Sequence, residues 1–221
     1  MNLGLALYSE GSTDQRFLQI VIRRAARHVL EQHGRRSVNV PRVEPIKINK
    51  IGLRQDECIL QAAYEAARYH ILIVHADADH PTRDKALSER YQPGYERVQQ
   101  IDVKICKNLF PVIPVYMTEA WMLADLEALR DVIETDMRPQ ELRLPRKAKQ
   151  VELDTDPKQT LKEVLQKAYA HKSRRHRRID LDFLYEPLAL RINLGRLSEV
   201  PAYQQFKADL IFALKKLDLI R

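Results

Sequence analysis

The chain has 221 residues, of which 45% are hydrophobic, 30% charged and 7% aromatic. That composition suits a folded domain and excludes collagen-like, disulfide-framework and wholly disordered chains. The 37 Lys/Arg against 30 Asp/Glu give a formal charge of +7, which favours a polyanionic partner such as nucleic acid. Cys58 and Cys106 lie far apart and offer no metal-binding spacing. Apolar runs such as Ile71-Leu72-Ile73-Val74 fall far below the roughly 20 residues of a membrane span, and no basic-then-apolar leader opens the chain. A cytoplasmic protein is expected.

In chain order, Leu3 to Tyr8 is a short apolar run ending at Ser9-Glu10-Gly11-Ser12, and Phe17, Leu18, Val21, Ala25 and Leu30 follow at helical spacing. The pattern predicts strand, tight turn, helix. Alternating apolar residues between Val38 and Ile51 predict a second strand, and Ile59, Ala62, Ala63 and Ala66 a second helix. His70 to Ala76 is nearly unbroken and β-branched, as in a central strand buried on both faces. A helix over about 95–109, a fourth strand over Val112 to Tyr116 and a helix opening at Thr118 complete the alternation. After about Ile133 three helical stretches are predicted, Asp156 to Tyr169, Leu181 to Leu194 and Pro201 to Leu217. Alternating strands and helices imply an α/β fold with a Rossmann-like parallel sheet between helices. Residues 1–135 are expected to form that unit, and 136–221 a basic, mostly helical C-terminal extension.

Sites in open α/β sheets form at the carboxyl ends of the strands. Strand one delivers Glu10 and, in the first turn of the next helix, Asp14; the central strand delivers Asp77 and Asp79; the fourth delivers Glu119. Two residues apart on an extended segment, Asp77 and Asp79 are expected to point to one side. At 4 Å each pair of like charges costs about 4 kcal/mol at an effective dielectric of 20. A hard divalent cation removes that cost, and all-oxygen ligation suits Mg²⁺ or Mn²⁺. Blander readings stand beside this one. Ser12-Thr13-Asp14-Gln15 also fits a helix capping box, Asp77-Ala78-Asp79 a solvated loop, and Glu119 an ordinary first-turn acid. His70, His75 and His80, spaced by five, share no helix or strand face, and His75 reads as a packed strand residue. Tyr116 and Trp121 read as core or interface groups.

Glu10-Gly11-Ser12-Thr13-Asp14, Val74-His75-Ala76-Asp77-Ala78-Asp79 and Thr118-Glu119-Ala120-Trp121-Met122-Leu123-Ala124-Asp125 resemble the TOPRIM fold of topoisomerases, bacterial primases and OLD-type nucleases. The similarity is nearest to a family of small bacterial TOPRIM-like proteins, the domain-of-unknown-function family 4276, which Asp156-Pro157-Lys158 also fits. The resemblance implies Mg²⁺- or Mn²⁺-dependent phosphodiester chemistry with Glu10, Asp77 and Asp79 as catalytic residues. It further implies that Asp14 joins these three as a metal ligand; Glu119 is a candidate from its place at the end of the fourth strand, where with Asp14 it would help bind a second ion. Strand passage is not expected, since no catalytic tyrosine or second domain is matched. No G-x-x-x-x-G-K-[ST] occurs; an ATPase on a separate chain, in a setting such as antiphage defence, is a partner implied by the resemblance alone. The alternative is a non-catalytic or regulatory subunit that binds such an ATPase or nucleic acid.

Of the other D-x-D chemistries, a haloacid-dehalogenase phosphatase fails because His80-Pro81 follows the pair. A glycosyltransferase stays open, although nothing else points to a sugar nucleotide. Between Arg143 and Arg178 twelve Lys/Arg face four acids, enough to account for the whole basic excess. Lys158, Arg174, Arg175, Arg177 and Arg178 are the candidate contacts to a DNA or RNA backbone, against the alternative of a solvated linker. Arg83 and Lys85 are candidates to stabilise phosphoryl charge, with a solvated loop as the equal alternative.

Overall fold

The computed structural model describes residues 1–145, 147–170 and 180–221. Four strands, β1 (Leu5–Tyr8), β2 (Glu44–Pro45), β3 (Ile71–His75) and β4 (Leu109–Val112), form one sheet in the order β2-β1-β3-β4. All pairings are parallel. Between β1 and β4 run α1 (Ser12–His33), α2 (Gln55–Glu65), α3 (Asp84–Ala86) and α4 (Gln92–Gln100), with a π turn at Leu87–Tyr91. After β4 come α5 (Glu119–Met122), α6 (Leu126–Ile133), α7 (Pro157–Ala168), α8 (Tyr185–Arg191), α9 (Leu194–Leu197) and α10 (Pro201–Lys216).

Alternation along the strands sorts the core into two layers. Leu5, Leu7, Ile71, Ile73, Phe110 and Val112 join the large core that also takes in α1 and the C-terminal helices. Ala6, Tyr8, Leu72, Val74 and Leu109 join a smaller core with α2 and α4. The register Leu5↔Ile71 and Ile73↔Phe110 keeps like faces together across the sheet. Both faces are covered, as a parallel sheet requires. On the smaller side α2 packs on α4, and a Cβ at Gly94 would stand 2.7 Å from Ile59, so the absent side chain permits the close approach.

On the other side α8 packs on α1 and α10 on β4, and the large core runs from Leu3 to Ile220 through both halves of the chain. The C-terminal helices are therefore one of the two layers covering the sheet. Trp121 is fully buried there, edge-on to Tyr203 at 5.2 Å, as its packing reading anticipates.

Two expectations need correction. The fourth strand is Leu109–Val112, and the helix before it ends at Gln100. Pro114 interrupts the run predicted as strand, and regular pairing stops at His75↔Val112. Irregular bonds then carry β3 and β4 onward, Ala78 N–H to the Pro114 carbonyl (3.1 Å) and Asp79 N–H to that of Tyr116 (3.0 Å). The segment after β3 is also not uniformly extended, because Asp79 takes a left-handed φ of 49°, a conformation Asp adopts more readily than most residues.

The chain leaves β1 for β2 on one side and returns to β3 on the other. Connections therefore diverge at the β1/β3 boundary, and the crevice beyond the carboxyl ends of these two strands is where such sheets place their ligands.

Candidate metal centre

Beyond β1, the Ser9 hydroxyl donates to the Gly11 carbonyl (2.7 Å), and α1 begins with Gly11 as its N-cap and no capping side chain. The alternative reading of Ser12 to Gln15 as a capping box is not what forms, since Gly11 and not Ser12 is the N-cap. A Cβ at Gly11 would stand 2.3 Å from Asp14 Oδ2, so the carboxylate lies in space that only glycine leaves open. Asp14 is 8% exposed, yet it accepts no hydrogen bond and forms no ion pair among the described residues. An ionised carboxylate so placed is costly. The α1 N-terminus offsets part of that cost, and a cation would offset the rest.

From β3, His75 is completely buried, with Nε2 3.2 Å from Asp77 Oδ1 and 3.1 Å from Thr118 Oγ1. The Thr118 backbone N–H donates to the same Asp77 oxygen (3.1 Å). One ligand atom each from Asp14, His75 and Asp77 lies within 4.8 Å of the other two, and the three could hold a metal ion. Burial pushes the His75 pKa down, but Asp77, Asp14 and Glu10 outweigh it and hold the imidazole above its ordinary value. Among the described residues, His75 Nδ1 has no hydrogen-bond partner. Metal-ligating histidines almost always donate their second N–H to an acceptor, and this ring lacks one. With the proton assigned to Nε2, His75 fits better as the donor that orients Asp77, the two aspartates being the metal donors.

At the outer corner, Arg90 donates through Nη2 to Asp79 Oδ2 (2.8 Å) and through Nη1 to the Asp77 carbonyl (2.7 Å), and lies 3.6 Å from Glu10 Oε2. The π turn Leu87–Tyr91 carries it there, a backbone feature that recurs at functional sites. Burial raises the Glu10 pKa; Arg90 and His75 pull it down, while Asp77 and Asp79 push it further up. Lys50 straps this turn, donating to the carbonyls of Ser9 (3.1 Å) and Glu10 (2.7 Å) over the Tyr8 ring.

At the inner corner, Glu119 is 4% exposed and accepts a 2.5 Å hydrogen bond from the Tyr185 hydroxyl, with Lys158 Nζ 3.9 Å away. Burial raises its pKa and the Tyr185 bond opposes the rise. Asp125, in the same segment, is structural: it caps α6 through the Ala128 N–H and accepts the Asn193 N–H (2.8 Å).

The expected acids thus divide among three settings, Asp14 and Asp77 with His75, Glu10 and Asp79 about Arg90, and Glu119 with Tyr185 and Lys158. Asp77 and Asp79 engage different partners, contrary to the same-side expectation, because the φ of Asp79 turns it out of the strand. Arg83 reaches toward Asp209 (3.8 Å) instead of the cleft. Arg174, Arg175, Arg177 and Arg178 lie outside the described residues. His75, Arg90, Thr118 and Tyr185 were not assigned to the site from sequence. Of these His75 alone left a signal, standing two residues before Asp77 in a strand that enters the site.

A family model described as a domain of unknown function (DUF4276) matches residues 9–200. The chain belongs to the DUF4276 family. No curated protein matches the chain, and no solved structure does. The DUF4276 span begins one residue before Glu10 and contains every residue of the site through Tyr185, while α10 lies beyond its end. Among the described residues, no helix is long and apolar enough to cross a membrane.

Proposed function

We propose that this DUF4276 protein is a divalent-cation-dependent nuclease of the TOPRIM kind, related to OLD-type nucleases and hydrolysing phosphodiester bonds of DNA or RNA. The observation that carries the reading is Asp14, a nearly buried carboxylate without a partner among the described residues, beside Asp77 at the divergence point of a parallel sheet. Asp14 and Asp77 would hold the cation with Glu10 and Asp79 at the rim, and these oxygen donors suit Mg²⁺ or Mn²⁺. When bound, the cation supplies charge neutralisation at a phosphoryl oxygen and a more acidic water.

The chain's own residues do the rest. His75 and Thr118 fix the Asp77 carboxylate. Glu10, whose pKa is held above the ordinary carboxylate range, would be the group that takes up a proton from the attacking water. Arg90 keeps Glu10 and Asp79 compensated and has a forked donor face suited to a phosphate. A separately encoded ATPase is the proposed partner, in a setting such as bacterial defence.

The test is incubation of the purified protein with DNA and with RNA, in Mg²⁺ or Mn²⁺, beside Asp77→Ala and Glu10→Ala. Cleavage by the wild type that falls at least about 100-fold in both variants is expected. Equal cleavage by all three would place the activity elsewhere. One observation favours a second reading: Arg90 already neutralises the Glu10/Asp79 pair, as it would in a non-catalytic subunit that binds an ATPase or nucleic acid. Cation binding without cleavage of any nucleic acid, alone or with the ATPase, would select it.

A further inference from the structure

The solvent face of α1 carries a second charged feature, opposite in sign to the cleft. Arg16, Ile20, Arg23, Arg24 and Arg27 recur at the spacing of one helical stripe. With Arg42 from the segment before β2 and Leu190 of α8 they line a cleft of about 400 Å³. Neutral acceptors hold three of the guanidinium groups in place. Arg23 Nε donates to the Val40 carbonyl (3.0 Å), Arg24 Nη1 to that of Ala189 (2.6 Å) and Arg42 Nε to Gln19 Oε1 (3.2 Å).

Arg16 pairs with Asp182 at 3.0 Å. Among the described residues, Arg23, Arg24, Arg27 and Arg42 have no carboxylate within ion-pair distance, although Glu186 also borders the cleft. Four arginines gathered without counter-charges repel one another. Their planar forks, already aimed by backbone and amide acceptors, match phosphate oxygens. Arg16 stands two residues from Asp14, and from Arg16 to Arg27 the helix advances about 16 Å. Two residues apart on a helix, Arg16 and Asp14 leave different faces, so the stripe starts at the end of α1 that carries Asp14 and runs along the helix over several phosphate spacings of a nucleic-acid strand. Arg27 also borders a second cleft with Arg36, which prolongs the basic surface.

We propose that this α1 stripe is a track for the phosphate backbone of a nucleic-acid strand, holding it without base recognition while another part of the strand reaches the carboxylates. The proposal rests on the nuclease reading for its substrate class, but its test is one of binding. Full-length protein carrying Asp77→Asn, in chelator so that nothing is cut, is titrated with a labelled single-stranded DNA of about 20 nucleotides at several salt concentrations. The same background with Arg23→Gln, Arg27→Gln and Arg42→Gln should bind about tenfold more weakly at moderate salt. Its log–log salt slope should be shallower by about 2, the loss expected for three single-strand phosphate contacts.

The triple Arg→Lys counterpart should keep most of the slope, which separates lost charge from lost folding. An unchanged slope in the Gln variant, or an equal loss in the Lys variant, overturns the track. So does complete displacement of the strand by millimolar inorganic phosphate, the behaviour of a small-anion site. Poly-glutamate competing as well as unlabelled DNA, with the same dependence on the three arginines, would assign the stripe to an acidic protein instead. Absence of cleavage in the nuclease test leaves all these outcomes as they are, so the two ideas fail separately.

Discussion

Glu10 and Asp79 stand at the solvent side of the cleft with the Arg90 guanidinium between them, whereas Asp14 and Glu119 sit beneath, 8% and 4% exposed. The outer pair already has its counter-charge on the chain. Inside, Glu119 has a hydroxyl and a distant ammonium, and Asp14 has neither. Water screens the outer pair and hardly reaches the inner one, so equal charges carry unequal costs. The carboxylate that most needs a cation is therefore the buried one without a partner among the described residues, and the rim acids can exchange an arginine only for another cation.

Breaking the inner side should have the largest effect. Asp77→Asn keeps the shape of the side chain, and its carbonyl oxygen can still accept from His75 and Thr118, but the charge is lost and an NH2 donor replaces one carboxylate oxygen. Cleavage should fall by about 10²- to 10³-fold, and Mn²⁺ binding followed by calorimetry should drop beyond detection at micromolar protein. Arg90→Lys, on the outer side, should retain measurable Mn²⁺ binding. If the two substitutions weaken Mn²⁺ equally, the distinction between the corners does not hold.

Gly11→Ala probes the same side without touching a ligand. The added methyl would meet Asp14 Oδ2 at 2.3 Å, and a carboxylate can swing away at little cost to the fold. The backbone φ of −110° at Gly11 suits alanine as well. The expected result is an affinity for Mn²⁺ about 10- to 100-fold lower, the range seen when a ligand's supporting geometry is lost, with a thermal midpoint close to wild type. A large fall in the midpoint with affinity intact would make Gly11 a folding requirement only.

Tyr185→Phe tests whether Glu119 belongs to the fold or to the chemistry. The hydroxyl donates a 2.5 Å bond to a carboxylate buried beneath α8, and deleting it leaves that acceptor with Lys158 at 3.9 Å. Denaturant unfolding should show a loss of about 1–3 kcal/mol. Mn²⁺ affinity changing by less than about threefold would mark Glu119 as structural, and a tenfold loss would join the inner corner to the metal centre.

The hydrophobic periodicity makes the sheet legible because β1 and β3 are short apolar runs buried on both faces, and their carboxyl ends point to Glu10, Asp14, Asp77 and Asp79 from sequence alone. The partners of those acids were not legible. Arg90 reaches the cleft by way of a π turn, and no local pattern announces one. Tyr185 meets Glu119 across 66 residues of sequence, a pairing set by the packing of α8 on α1. His75 was assigned to the core from its spacing to the other histidines, and burial bears that out, but a buried residue at the end of a strand can still face the site with one edge. The fourth strand moved because Pro114 fell inside the predicted run, and proline cannot donate to a ladder.

The smallest effect expected is at an acid remote from both corners. Asp56, in the first turn of α2, lies 2.6 Å from Arg97 and 3.0 Å from Arg54. The Arg97 hydrogen bond, with the two guanidinium charges behind it, outweighs burial and holds the carboxyl below the usual range. A carboxylate whose folded pKa is depressed stabilises the protein above its unfolded pKa, and that contribution is lost as pH falls through the folded value. Asp56→Asn should therefore cost about 0.5–1 kcal/mol at pH 7, the scale of a well-formed surface ion pair. Wild type and variant should converge in acid, once Asp56 is protonated in both states, and Mn²⁺ binding at pH 7 should be the same in both. A stability difference independent of pH would show that packing at the start of α2, and not charge, is what Asp56 supplies.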